Sequence, residues 1–217
     1  MTGTPAQAAI AALIATVTAS AVGAQSMGTW EIGTQLMTSI APSSPGEFFG
    51  GQASGISQSA VAIRATTDLL RIGPIRLRYS AQLLPAVRLV GVERYTRLQV
   101  TDQSIYVLGG QTASYGIGLV PLGIDLSAPL GKRIRVQSGL GIGVVRFTQN
   151  VPFAASRQRN FSLEWDGALA INAGADRWVQ LGMRWKHISN GFSAYENPGI
   201  DSRMAFLGMS VRVRAPR

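Results

Sequence analysis

Cysteine is absent from the 217-residue chain, and histidine occurs once, at position 187. Without thiols there is neither a disulfide framework nor a thiolate metal site. A single imidazole with no carboxylate cluster around it offers no metal ligand set, and no cofactor is implied. Charge is also sparse: 14% of the residues are charged, against about 25% in a typical soluble domain. Beyond the stretch Ala8 to Val22 the sequence has no long apolar run, and nothing approaches the ~18 residues of a spanning helix. A membrane-embedded chain of this kind must cross as strands. The formal charge of +9 suits anionic lipid as well as nucleic acid. The basic side chains are scattered through apolar segments, and no nucleic-acid recognition signature appears, so nucleic acid is not an expected partner.

Residues 1–24 read as an export signal. Ala8 to Val22 is Ala-rich and apolar, and Val22-Gly23-Ala24 supplies small residues ahead of a cut before Gln25. The segment before it has no Lys or Arg, so a short anchor helix is the competing reading. Residues 25–217 then form one domain, as the length suggests.

Period-two alternation runs through most of that domain. Ile75, Leu77, Tyr79, Ala81 and Leu83 oppose Arg76, Arg78, Ser80 and Gln82. Ile134, Val136, Leu140, Ile142 and Val144 oppose Arg135, Gln137, Gly139, Gly141 and Gly143, and Phe161 to Asn172 behaves alike. Within 113–127 the apolar face changes sides at Pro121, as a bulge would cause. With 29–38, 61–69, 177–189 and 201–213 the count is about eight strands. Short turns at Gly73-Pro74, Gly131-Lys132 and Gly174-Ala175-Asp176 alternate with long connections near 39–56, 91–112, 148–158 and 190–200. Short turns on one rim and long loops on the other mark an eight-stranded antiparallel transmembrane β-barrel. The polar face carries both signs, on Arg64, Asp68, Arg76, Arg78, Arg135, Glu164, Asp166 and Arg184. Facing inward, these groups satisfy one another, whereas a soluble barrel would turn them out. The chain ends Val211-Arg212-Val213-Arg214-Ala215-Pro216-Arg217, without the terminal aromatic residue usual in such barrels.

The chemistry lies at the end of the seventh strand. By parity, Met183, Trp185, His187 and Ser189 share the lipid-facing side, and so do Asp201, Arg203, Ala205 and Leu207 on the eighth. A base, a hydroxyl and a carboxylate on adjacent antiparallel strands have the parts of an acyl-transfer site. The backbone near Gly191 and the Asn197 amide lie in the right loop to donate to an oxyanion. The plainer reading makes His187 an interfacial polar residue at a strand end. Against it stands the cost of polar groups that face lipid.

His187-Ile188-Ser189-Asn190, Asn197-Pro198-Gly199 and Asp201 resemble the signature of the PagL family of outer-membrane lipid A 3-O-deacylases. The resemblance implies hydrolysis of the 3-O-linked acyl chain of lipid A, within lipopolysaccharide, at the outer surface of the barrel. It implies Ser189 as nucleophile, His187 as general base, Asp201 as orienting acid and Asn197 as an oxyanion donor. Asn190 matches a family position whose role stays open. The family acid is typically Glu, so Asp201 is a departure, and Glu196 in the loop is the alternative. The acyl chain would lie beside Met183, Trp185, Ala205 and Leu207, with Arg203, Lys186 and Arg157 as candidates for the lipid A phosphates, although the parity of Lys186 points inward. Two other functions remain open: a non-enzymatic structural or adhesion barrel, and a phospholipase-like hydrolase with the same residues. Whether the barrel pairs with a second copy as a homodimer is also left open.

Overall fold

A computed structural model of the protein describes residues 29–46, 49–100, 103–194 and 197–214. The expected export signal at 1–24 and the last three residues lie outside the described residues. Eight strands follow in order: β1 (Thr29–Ser39), β2 (Ser57–Ile72), β3 (Ile75–Val100), β4 (Gln103–Pro129), β5 (Ile134–Val151), β6 (Arg157–Gly174), β7 (Arg177–Ser189) and β8 (Ile200–Arg214). Each pairs antiparallel with its neighbours, and β1 pairs with β8 from Thr29↔Arg214 to Ser39↔Met204, so the sheet is a closed barrel. Closure leaves no strand edge with unpaired backbone groups, the condition for crossing lipid as strands.

The strands face the way the alternation requires. Leu36, Ile142, Leu181, Leu207 and Met209 are exposed on the outer wall, while Gln35, Arg184, Phe206 and Ser210 are buried inside. At mid-barrel, three cations meet three carboxylates. Arg64 pairs with Asp125 and, at 2.9 Å, with Asp166. Arg184 reaches Asp166 at 2.8 Å, and Lys186 reaches Glu164 at 2.9 Å. Arg184 also donates to Gln35 and Gln82, each at 2.9 Å. A second cluster lies nearer the short-turn rim, where Glu31 is shared by Arg78 and Arg135. Asp68 and Arg76 lie on the same inner face at its open end, where Asp68 meets Arg78 at 3.3 Å and Arg76 at 3.5 Å.

Pro121 does mark a bulge: the register between β4 and β5 shifts between Leu119 and Leu122, so both leucines stay on the outer wall. The connection expected at 91–112 is not a loop. β3 and β4 continue as a paired hairpin up to Val100↔Gln103. Register shifts between Val90 and Val92 and between Glu93 and Tyr95 break the alternation there and conceal the strand in the sequence. Likewise the 148–158 connection shrinks to 152–156 because β5 runs to Val151 and β6 begins at Arg157. The connections 40–56 and 190–199 are loops, on the rim opposite the short turns. That rim carries the site.

The balance of the interior gives a test. Arg184→Met leaves three buried carboxylates facing two cations, and should lower stability by about 3–5 kcal/mol. Leu181→Ala exchanges one lipid contact for another and should cost far less. Urea titration of the barrel folded in lipid vesicles measures both; equal losses would contradict the assignment of inside and outside.

Candidate active site

Strand pairing sets His187 of β7 directly opposite Asp201 of β8. Their neighbours Lys186 and Ser202 point inward and are buried, so His187 and Asp201 point out. Nδ1 of His187 lies 2.6 Å from Oδ1 of Asp201. An ionised carboxylate only accepts, so the contact fits a neutral ring with its proton on Nδ1 and its lone pair on Nε2. That is the tautomer a general base needs.

A carboxylate on a lipid-facing wall requires cover, and the loop between β1 and β2 provides it. The backbone N–H groups of Phe49 and Gly51 donate to Oδ2 of Asp201 at 3.0 and 2.9 Å. Asp201 is consequently only 2% exposed despite its outward parity. Ala53 N–H donates to the Gly199 carbonyl at 3.0 Å, and Gln52 N–H to that of Pro198, which ties this loop to the one preceding β8. The Phe49 ring tilts against the imidazole at 6.0 Å between centroids. No sequence pattern pointed to Phe49 or Gly51, because the contact is made by backbone amides 150 or more residues from Asp201.

Two glycines allow this close assembly. A Cβ on Gly51 would lie 2.9 Å from Cγ of Asp201. Gly199 has φ of +63°, and a Cβ there would lie 2.6 Å from Cε1 of His187. Gly199 is therefore required twice, by its left-handed backbone and by the ring against it.

Ser189 sits two residues beyond His187 on the same outer face and is half-buried. Such neighbours have Cα atoms ~6.5–7 Å apart. Among the described residues no hydrogen bond joins the Ser189 hydroxyl to the imidazole, whose Nδ1 is engaged by Asp201. Contacts of this kind often close only when substrate is bound. Asn197 accepts the Asn190 N–H through its Oδ1 at 2.8 Å, which leaves its Nδ2 end to donate. Asn190 is buried just after Ser189, and Ser193 donates to its carbonyl at 2.7 Å. Gly191 follows with φ of +61° and packs on the Phe161 ring. The alternative acid, Glu196, lies outside the described residues.

The surrounding residues divide differently from the sequence expectation. Trp185 is stacked on Trp165 of β6, with centroids 4.8 Å apart and planes 21° apart, and forms a flat apolar shelf below His187. Met183 pairs with Ala205, and Arg203 is exposed opposite Trp185. Lys186 is no candidate for a lipid phosphate: it is 2% exposed and ion-paired inside the barrel. Arg157 donates through Nε and a terminal nitrogen to the Ser193 carbonyl, at 3.1 and 3.0 Å.

The family model described as Lipid A 3-O-deacylase (PagL) matches residues 78–210. The crystal structure of the outer membrane enzyme PagL superimposes with a TM-score of 0.50 at 16% identity, over 82% of this chain and 97% of that one. OprG of Pseudomonas aeruginosa matches with a TM-score of 0.45 at 11% identity, over 88% of this chain and 99% of its own. Ail of Yersinia pestis matches with a TM-score of 0.45 at 9% identity, over 87% and 100%. No curated protein matches the chain. The closed barrel, its apolar outer wall and the family match make this an integral protein of the bacterial outer membrane.

The lone histidine makes the acid–base contact directly measurable. In the folded barrel the Nδ1 proton should resonate far downfield as a single line. Gly199→Ala should push the ring away from Asp201 and abolish that line while the barrel stays folded. A line that survives this substitution would mean that Gly199 does not set the ring.

Proposed function

The chain belongs to the lipid A 3-O-deacylase (PagL) family, and on that premise we propose that it hydrolyses the 3-O-linked acyl ester of lipid A with Ser189, His187 and Asp201. The observation that carries this reading is the His187–Asp201 hydrogen bond on the outer wall, with the carboxylate capped by two loop amides. An acid and a base joined this way, one strand repeat from a serine, supply the base and orienter of nucleophilic acyl transfer.

In the proposed reaction, Nε2 of His187 takes the Ser189 proton as Oγ attacks the ester carbonyl. Asp201 steadies the imidazolium that forms. The oxyanion is met by Asn197 Nδ2 and a backbone N–H near Gly191, with Asn190 bracing Asn197 through its own amide. Collapse expels the sugar oxygen, which takes the proton back from Nε2. Water then enters by the same route: it gives His187 a proton and attacks the acyl-serine, and the fatty acid leaves as Ser189 Oγ takes that proton from Nε2. The substrate is already in the leaflet, so no deep pocket is required. Its acyl chain lies against the outer wall along Trp185 and Met183, with Arg203 at the edge of the same face.

The test is the lipid A of Gram-negative cells expressing the chain, read by mass spectrometry. Loss of one 3-hydroxyacyl mass is expected, and Ser189→Ala should abolish it. Asp201→Asn should reduce the rate by about 10³-fold or more, because it forces the wrong tautomer on the base. Glu196→Gln should leave most of the activity. Unaltered lipid A beside a correctly folded barrel would refute the deacylase reading, and hydrolysed glycerophospholipid would redirect it to a phospholipase. The opposite ranking of the two acid variants would move the orienting role to Glu196.

A further inference from the structure

β5 and β6 bring two arginines face to face beside the proposed nucleophile. Arg146 pairs directly with Arg159, next to the pair Val144↔Phe161. Phe161 in turn pairs with Ser189. Both arginines are exposed, while the alternate positions Val145 and Asn160 are buried inside, so both guanidinium groups lie on the outer wall. Neither has an ion pair or hydrogen bond among the described residues.

Like charges directly opposite on a sheet destabilise it, and the boundary with lipid makes the repulsion stronger than in water. At mid-barrel three cations meet three carboxylates, whereas the outer-wall pair has no carboxylate partner among the described residues, an arrangement that favours an external anion. The position identifies which kind. Arg159 is a diagonal neighbour of Ser189, ~7–8 Å away across the strands. Val144, Ile142 and Phe161 are exposed apolar residues immediately below the pair, so the arginines mark the upper edge of the lipid-facing band. A phosphate at that level belongs to an amphiphile whose ester lies at the depth of Ser189. Two planar guanidinium forks suit such a group better than one.

We propose that Arg146 and Arg159 form a phosphate clamp that binds a phosphate of lipid A and sets the depth of the 3-O ester at Ser189. This rests on the deacylase reading for the identity of the lipid, and it replaces Lys186 and Arg157 in the role the sequence suggested for them.

The test uses the full folded barrel in detergent, with bisphosphorylated lipid A and the same lipid stripped of phosphate. Binding is measured by native mass spectrometry in a Ser189→Ala background, and turnover is measured in the parent. Arg146→Gln and Arg159→Gln should each weaken binding of the phosphorylated lipid by about tenfold, so that the preference over the stripped lipid collapses. In turnover kcat/KM for the phosphorylated lipid should fall about tenfold, and Arg159→Lys should recover part of the loss. Removing one of two like charges should not lower the unfolding midpoint, which separates this role from a structural one. The clamp is overturned if the glutamine variants keep the preference, or if they lose both lipids equally. Should the parent cleave no lipid A while the phosphate preference still depends on both arginines, the deacylase reading fails and the clamp stands.

Discussion

Arg184 and Arg64 share Asp166 at the middle of the barrel, with Lys186 and Glu164 beside them. These groups are tolerable in a membrane protein only because they face one another and not the lipid. Slipping β7 by one residue would carry Arg184 and Lys186 into the bilayer, at roughly 2–4 kcal/mol for each charge near the midplane. The interior ion pairs therefore lock the parity of the strands. With Lys186 fixed inside, His187 must lie outside, and with Ser202 inside, so must Asp201. The position of His187 and Asp201 on the outer wall is a consequence of charge pairing on the inner one.

That placement creates a second demand. On the proposed reading His187 must sit where lipid can reach it, yet an uncovered carboxylate there would be costly. The β1–β2 loop resolves this by folding over the rim and giving Asp201 two backbone donors. Its further bonds to the Pro198 and Gly199 carbonyls hold the two loops together above the strands. The result is a small piece of protein interior on an otherwise lipid-exposed surface. Gly51 and Gly199 permit it, since a side chain at either would displace the acid or the base.

Much of this was legible in the residues. Alternation gave the eight strands and the sides they face, because a half-buried sheet imposes a period of two on the sequence. The same parity placed His187, Ser189 and Asp201 on one wall. What was not legible depends on register and on backbone. The upper β3–β4 hairpin was concealed by two bulges that interrupt the alternation around Val90 to Tyr95. The covering loop acts through main-chain amides, which have no residue-type signature. Arg146 and Arg159 are separated in the sequence by a loop, and only the pairing of β5 with β6 shows that they oppose each other. The parity of Lys186 already pointed inward, away from substrate. Its partner Glu164 lies directly opposite on β6, and the register of that strand pair is what shows it.

Along the outer wall of β6 and β7 the residues rise in order of function, two residues per step. The stacked Trp165 and Trp185 come first, then Leu163 beside His187, then Phe161 beside Ser189, and then Arg159 facing Arg146. Each step is ~6.5–7 Å of strand. On the proposed reading this ladder measures depth in the leaflet: apolar chain against the tryptophans, ester at the serine, phosphate at the arginines. A substrate confined to a bilayer has already lost much of its freedom to move and turn, so little further ordering is needed to bring ester and nucleophile together. Selectivity then comes from the fixed interval between an anionic group and an ester below it. Glycerophospholipids also carry a phosphate above an ester, so rejecting them must depend on that interval and on the width of the paired guanidinium groups rather than on charge alone. A rigid barrel suits this task, because strand pairing holds the interval constant while the lipid moves past it.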